Sequence, residues 1–506
     1  MATMNTLHEK TQKRFTEPCI ITIFGATGDL TARKLIPAIY ELLKEGLLPS
    51  QFVCIGFARR VKTDQEFRQE MRLAIQEFSR SKPLDQELWA HFENHLFYHE
   101  AAFPELEGYH RLKKTLQELD IKFGTKGNRI FYLATPPSYF PLICDNLKKS
   151  DLIYDEDDAS PWSRVIIEKP FGHDFPSASN LQKSLLLSLK EDQIYRIDHW
   201  LGKETVQNLL VFRFANSIFE SLWNNRYIDH IQVTVAEDLG IGTRGLFWEE
   251  TGLLRDIVQN HVMQLLSLIA MEPPVTLDAE AIRNEKVKVL QAMRPLTPEN
   301  IIRAQYASGI IHEQEVLSYR EEKSVDPLSS VETYCALKLH IDNWRWADVP
   351  FYIRAGKRLP KKTTEVAIIF KNPPSILFQQ DAAKNSPNVL VLRIQPDESI
   401  SLKMHCKVPG LTHALQPVKM DFKYGSYFGM TPPEAYERLI YDAIMGDSTL
   451  FASQDEVLLS WKLFSPVLDL WKEQKSDALF TYPAGSWGPK EADDLLERDG
   501  KKWRVV

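Results

Sequence analysis

Cysteine is scarce in this chain of 506 residues: the five are scattered at Cys19, Cys54, Cys144, Cys335 and Cys406. No two stand at C-x-x-C spacing, which excludes a zinc knuckle and a disulfide framework. Long apolar runs are lacking too. The longest stretch, near Leu253–Met271, is interrupted by Arg255, Asp256, Gln259, Asn260 and His261, so no membrane span is expected. An excess of positive charge is also missing. Lys+Arg 61 against Asp+Glu 68 leaves a net −7, which recommends neither nucleic acid nor an anionic membrane as a partner. Met1–Thr16 mixes polar and charged groups without an apolar h-region, so no secretory signal is expected. What is there is an ordinary globular composition, 44% hydrophobic and 25% charged, long enough for two large domains or three smaller ones. A cytoplasmic protein is expected.

Cys19–Phe24 (C-I-I-T-I-F) reads as a short buried strand, and Ala32–Glu45 as a helix carrying Leu35, Ile39 and Leu42 on one face. Phe52–Phe57, Arg129–Ala134 and Ser163–Glu168 read as further apolar strands, with a helix over Val61–Phe78. Strands alternating with helices predict right-handed βαβ units on a parallel sheet, an α/β domain over residues 1–198. The pattern changes near residue 200. Ile228–Ala236, Val331–Asp342, Val366–Phe370 and Leu390–Gln395 show period-2 character, with helices at 251–271 and 432–444. They predict a larger α+β domain over 199–506 with a mainly antiparallel sheet. The charged Lys490–Val506 is expected to be a surface segment.

Between the first strand and its helix stands Gly25-Ala-Thr27-Gly28-Asp29-Leu30. A strand, a glycine turn and a helix N-terminus can hold a phosphate on backbone N–H groups. Gly25 permits the tight turn and Gly28 a close approach to a pyrophosphate. The spacing is Gly-x-x-Gly rather than the fuller Gly-x-Gly-x-x-Gly, so a purely structural turn stands beside a Rossmann-type coenzyme site. After the second strand come Arg59 and Arg60, and no acid precedes Asp64. A guanidinium there suits a 2′-phosphate, whereas an acid would select NAD. The sequence leans to NADP, with a solvated basic turn as the alternative.

Tyr195-Arg-Ile-Asp198-His199-Trp200-Leu-Gly-Lys203-Glu204 packs Arg, Asp, His and Lys into one stretch. A helix beginning after Asp198 places His199 and Lys203 on one face at i, i+4, as a phosphate pocket or as a plain polar face. In the helix expected over Gly252–Met271, His261 shares a stripe with Leu254, Ile257, Val258 and Leu265. It reads as a packed core histidine unless a carboxylate orients it. His91, His95 and His99 repeat at i, i+4, i+8, but Leu96–His99 also reads as a strand, which would break that face; no metal is expected.

The runs Gly25–Leu30, Glu168-Lys-Pro-Phe-Gly172, Arg196–Glu204, Arg255-Asp-Ile-Val-Gln-Asn-His261, Arg354-Ala-Gly-Lys357 and Pro483-Ala-Gly-Ser-Trp487 together resemble glucose-6-phosphate dehydrogenase. They follow that family's order from about residue 19 to 490, and Arg196–Glu204 resembles its signature. Trp200 departs from the pattern, which usually has Tyr there.

The resemblance implies oxidation of β-D-glucose 6-phosphate by NADP to 6-phosphoglucono-1,5-lactone, the first step of the oxidative pentose phosphate pathway. It implies His261 as the general base for the C1 hydroxyl and Asp198 as the carboxylate that orients it. His199, Lys203, Lys357 and Lys362 (with Lys361 adjacent) would hold the 6-phosphate. Lys169, Glu237 and Asp256 would bind sugar hydroxyls. Gly25, Thr27, Gly28, Asp29, Leu30, Arg59, Tyr132 and Lys169 would bind the cofactor. Association through the second domain's sheet, as a homodimer or homotetramer, is implied as well. The alternatives are a dehydrogenase of another hexose or hexose phosphate, and an inactive NADP-binding sensor, which would need neither Asp198 nor His261.

Overall fold

The computed structural model describes residues 16–154, 161–374, 386–411, 414–429, 432–473 and 479–506; apart from Thr16, the polar N-terminal arm lies outside them. The chain forms two compact units. One comprises the described residues of Met1–Phe171, Asn180–His199 and Glu434–Phe451. The other comprises those of Gly172–Ser179, Trp200–Pro433 and Ala452–Val506.

The first unit is built on β1 (Cys19–Phe24), β2 (Phe52–Ala58), β3 (Leu96–Glu100), β4 (Arg129–Leu133), β5 (Ser163–Ile167) and β6 (Ile194–Ile197). They lie in the order β6-β5-β4-β1-β2-β3, all parallel, with the short strand Phe451–Ala452 beside β6. Every residue of β1 is buried. A parallel strand covered on both faces reads as an unbroken apolar run rather than an alternation. The strand order reverses between β1 and β4, and open sheets of this kind bind ligands beyond the carboxyl ends of the strands at such a reversal.

Two helices of this unit have identifiable anchors. The one expected over Val61–Phe78 starts at Asp64, because Thr63 caps it: Glu66 N–H donates to the Thr63 hydroxyl at 3.2 Å and Thr63 N–H to the Glu66 carboxylate at 2.8 Å. The helix Ala435–Met445 returns from far along the chain. Arg80 holds its Glu437 at 2.9 Å, and Arg164 Nη1 donates to the carbonyls of Ala443 and Ile444 at 2.9 and 2.7 Å.

The second unit carries β7 (Ile228–Ala236), β8 (Ile301–Ala307), the hairpin β9 (Gly309–Ile311) and β10 (Gln314–Val316), β11 (Tyr334–Leu339), β12 (Phe351–Gly356) and β13 (Thr363–Phe370). After these come β14 (Val389–Gln395), β15 (Ser399–Lys407), β16 (Leu415–Lys423) and β17 (Phe480–Pro483). Nine of them form one sheet in the order β16-β15-β14-β13-β7-β12-β11-β8-β17. Neighbours are antiparallel except β7 with β12 and β8 with β17. The α/β plus α+β expectation is therefore met.

Two local expectations need correction. The helix expected over residues 251–271 is broken at Gly252, whose φ of 67° suits glycine; a Cβ there would lie 2.6 Å from a Glu332 carboxylate oxygen. Beyond it, Leu254–Val262 winds in wide π-type turns before an α-helix over Met263–Ala270. Lys490–Val506 lies at the surface, as expected, and is anchored there. Its helix Lys490–Glu497 buries a stripe of Ala492, Leu495 and Leu496, and the tail is tied down, Lys501 to Asp229 at 2.7 Å and Arg504 N–H to Gln232 at 2.8 Å. Lastly, His199 precedes the helix altogether, as described below.

Among the described residues no helix is long and apolar enough to cross a membrane. Cys19, Cys54, Cys144 and Cys335 are free and buried. Burial pushes the first three thiols up to about 12, so they are inert packing groups.

Candidate active site

In the first unit the glycine turn sits where β1 ends. Gly25 has φ 86°, and a Cβ there would meet the Ala134 carbonyl oxygen at 2.3 Å, so glycine is required. Gly25 N–H donates to the Phe57 carbonyl at 2.9 Å and Gly28 N–H to the Gly25 carbonyl at 2.9 Å. This ties the loop to the end of β2. Gly28 and Asp29 are exposed, Thr27 and Leu30 partly so, and Asp29 pairs with Arg33 at 2.9 Å. The following helix opens with a wide π turn over Thr31–Leu35. Arg59 and Arg60 stand exposed just past β2. The first acid beyond them, Asp64, is engaged elsewhere: it accepts Tyr98 N–H at 2.7 Å. An exposed glycine turn, a helix start and a guanidinium without a strand-end acid form a donor set that fits NADP better than NAD.

Tyr132, on β4, is buried, and its hydroxyl donates to Glu168 at 2.6 Å. Glu168 follows β5. Burial of its carboxyl pushes its pKa up to about 7, with hydrogen bonds from Tyr132 and Tyr436 and the Lys169 charge opposing the rise. The folded state thus holds this proton more tightly than the unfolded chain does, and stability falls as pH climbs from 4.5 towards about 7. Glu168→Gln keeps an acceptor for Tyr132 and is expected to remove that fall. Thermal melts of both proteins on either side of this window check it; equal slopes would exclude a titrating Glu168.

Asp198, just beyond β6, is 3% exposed, whereas Lys169 and His199 are partly exposed. The His199 ring lies parallel to Tyr436 at 6.4 Å. Arg196 serves the scaffold instead: fully buried, it pairs with Glu191 at 2.6 Å and donates twice to Gln182. The helix placed after Asp198 begins only at Glu204, with Lys203 as its N-cap residue at φ −77°, ψ 137°. His199 and Lys203 therefore do not share a helical face. Residues 199–202 form a turn closed by Lys203 N–H to the Trp200 carbonyl at 3.1 Å, and Gly202 is a poor helix former in that position.

In the second unit His261 lies in the π-type segment and is 1% exposed. Its ring is parallel to that of Trp200, 4.9 Å between centroids and 1° between planes. Asp256 stands five residues earlier. Five residues make an α-helix overshoot one turn, but the i→i+5 winding here brings Asp256 back to the same side as His261.

Lys203 Nζ is 5.1 Å from the Trp200 ring centroid and donates to Gln395, whose amide donates to Thr364 at 3.1 Å. Glu237 and Lys357 follow the parallel strands β7 and β12, whose ends are in register at Ala236 and Gly356. The two side chains form a close ion pair, with Lys357 Nζ 4.6 Å from the Trp248 ring. Thr363 and Thr364 of β13 pair with Ala236 and Gln395. Gln395, Glu237 and Lys357 consequently line one end of the sheet. Lys361 donates to the Val506 carbonyl at 2.6 Å, while its neighbour Lys362 is exposed.

Gln395 was not among the expected residues. Only the strand register reveals it. The histidine series diverges: His95 Nδ1 bonds the His91 carbonyl at 2.9 Å, while His99, on β3, bonds the Gly108 carbonyl at 2.9 Å.

A reversing parallel sheet with a glycine turn at its first strand is the fold of dinucleotide-binding proteins, here joined to an antiparallel unit with a buried histidine. Residues 22–208 match the family model of the glucose-6-phosphate dehydrogenase NAD-binding domain, and residues 210–504 that of its C-terminal domain. The chain belongs to the glucose-6-phosphate dehydrogenase family. It is 56% identical to glucose-6-phosphate 1-dehydrogenase of Chlamydia pneumoniae over 494 residues, covering 97% of this chain and 96% of that one. The Bacillus subtilis enzyme is 45% identical over 489 residues, covering 96% and 98%. A solved glucose-6-phosphate dehydrogenase in complex with glucose 6-phosphate superposes with a TM-score of 0.89 at 37% identity, covering 97% of this chain and 99% of that one.

Proposed function

We infer that this chain oxidises D-glucose 6-phosphate to 6-phospho-D-glucono-1,5-lactone with NADP as the hydride acceptor. The observation that carries this is the full-length likeness to a dehydrogenase solved with that substrate. NADP, when bound, supplies the oxidising nicotinamide. The chain's own residues bind, orient and move the proton.

His261 is the proposed general base for the C1 hydroxyl, since an imidazole is half-titrated near working pH. Asp198 is the carboxylate proposed to fix its tautomer. Lys203, His199, Lys357 and Lys362 are assigned to the 6-phosphate, with Lys362 favoured over Lys361 because the latter is engaged with the C-terminal residue. Lys169, Glu237 and Asp256 are assigned to sugar hydroxyls. Gly25, Thr27, Gly28, Asp29, Leu30, Arg59, Tyr132 and Lys169 are assigned to the cofactor, Tyr132 acting through Glu168. Residues 1–198 and 199–506 are the proposed coenzyme and substrate domains. The test is absorbance of NADPH after mixing the protein with glucose 6-phosphate and NADP; no absorbance change would overturn the assignment.

Arg59→Ala is expected to weaken NADP binding by roughly 10- to 100-fold through loss of a charge-assisted contact, with NAD little changed. Equal weakening of both cofactors in titrations would exclude a 2′-phosphate contact. We also propose a homodimer or homotetramer, formed through the second unit's sheet. The edge strand β16 supports it, being exposed along most of its length, Met420 at 59%. Light scattering should return at least twice the monomer mass of 58.4 kDa. The cytoplasm is the proposed compartment, in keeping with buried, unpaired cysteines.

A further inference from the structure

We propose that Trp200 is a positioning residue for the proton transfer: its indole face fixes the plane of His261 and stabilises the imidazolium that forms there. The inference rests on His261 being the base. Trp200 is 4% exposed and His261 1%, so neither ring has water on its face to compensate a new charge. The two planes are within 1° of parallel, and a centroid separation of 4.9 Å is that of an offset stack. When His261 takes the C1 hydroxyl proton, a neutral buried ring becomes a cation. Burial opposes that change. An aromatic face answers it, because the ring quadrupole presents negative charge to a cation above it, and indole does so best of the three aromatic side chains. The stack also restricts rotation of the imidazole about its own axis, so the ring nitrogen keeps its aim at the hydroxyl.

The same indole lies 5.1 Å from the ammonium of Lys203, a proposed phosphate ligand. Trp200 thus touches two parts of the site, and substrate choice separates them. A role through His261 concerns the chemical step and applies to any sugar with a C1 hydroxyl. A role through Lys203 concerns only phosphorylated sugar.

The test measures kcat and KM for both glucose 6-phosphate and free glucose in wild type, Trp200→Phe, Trp200→Tyr, Trp200→Leu and Trp200→Met. The aromatic variants should keep kcat within about 3-fold, whereas Leu and Met should lower it about 10-fold or more on both sugars. KM for glucose 6-phosphate should change little. Should Trp200→Leu fail to fold, Trp200→Met, which fills the space without a π face, carries the comparison. Near-wild-type kcat in the Met variant, or Phe as slow as Met, overturns the proposal. So does a loss confined to glucose 6-phosphate, which would assign Trp200 to the phosphate pocket. An active wild type with any of these results leaves the family activity standing; an inactive wild type removes both.

Discussion

Replacing His261 by Asn is expected to lower kcat by about 10²- to 10⁴-fold, the range a positioned general base supplies, with KM for glucose 6-phosphate largely unchanged. Asn fills much of the same space and can still hydrogen-bond, but it cannot take a proton at working pH. The residue is 1% exposed, so some loss of packing against Trp200 will accompany the change. Circular dichroism and a melting curve separate that loss from a chemical one. Asp198→Asn should act in the same direction by presenting an amide in place of the carboxylate proposed to orient the base. Near-normal turnover in a folded His261→Asn enzyme would return this histidine to the role of a buried core residue.

The sequence alone favoured that plainer role for His261, and the reason is instructive. A stripe drawn at 3.6 residues per turn puts His261 among Leu254, Ile257, Val258 and Leu265, which is a core pattern. The actual winding over Leu254–Val262 is wider, so a stripe at α-helical spacing misplaces Asp256 relative to His261. Position 252 hides a second difficulty. Glycine inside a helical pattern reads as a tolerated weak point, yet it marks the break where Glu332 approaches the backbone.

Strand positions were legible because burial on both faces writes an apolar run, as in β1, while β7 shows period-2 character in its sequence although all of its residues but Asp229 are buried. The glycine turn was legible for a local reason: only glycine fits where a Cβ would strike Ala134. Gln395 was not, because its place depends on the register of β14 against β13, a property of two distant segments. Nor did the sequence show that Lys357 spends its charge on Glu237, or that Lys361 reaches the C-terminal residue. Those facts bear directly on which cations are available to an anion.

Discrimination for the phosphate carries the other large effect. Wild type is expected to show kcat/KM for glucose 6-phosphate at least ~10³-fold above that for glucose, since two or three charge-assisted contacts of about 1.5–3 kcal/mol each separate the two sugars. Lys357 already has a carboxylate partner in Glu237, so its ammonium gains less from a second anion. Lys203 differs. It heads the helix Glu204–Phe214, donates to the amide oxygen of Gln395 and lies over an indole face, with the Glu398 carboxylate within electrostatic reach. The Gln395 oxygen orients the ammonium, and Gln395 is itself held by Thr364. Lys203→Ala should therefore erode the ratio by about 10- to 100-fold, almost wholly through the phosphorylated substrate. Gln395→Ala should act in the same direction but less, because it frees the lysine to move without removing it. The measurement is the ratio itself in wild type and both variants, taken at fixed ionic strength so that screening does not mimic the loss. A ratio unchanged by Lys203→Ala would mean that the phosphate is held by other groups, and that Lys203 does no more than hold Gln395.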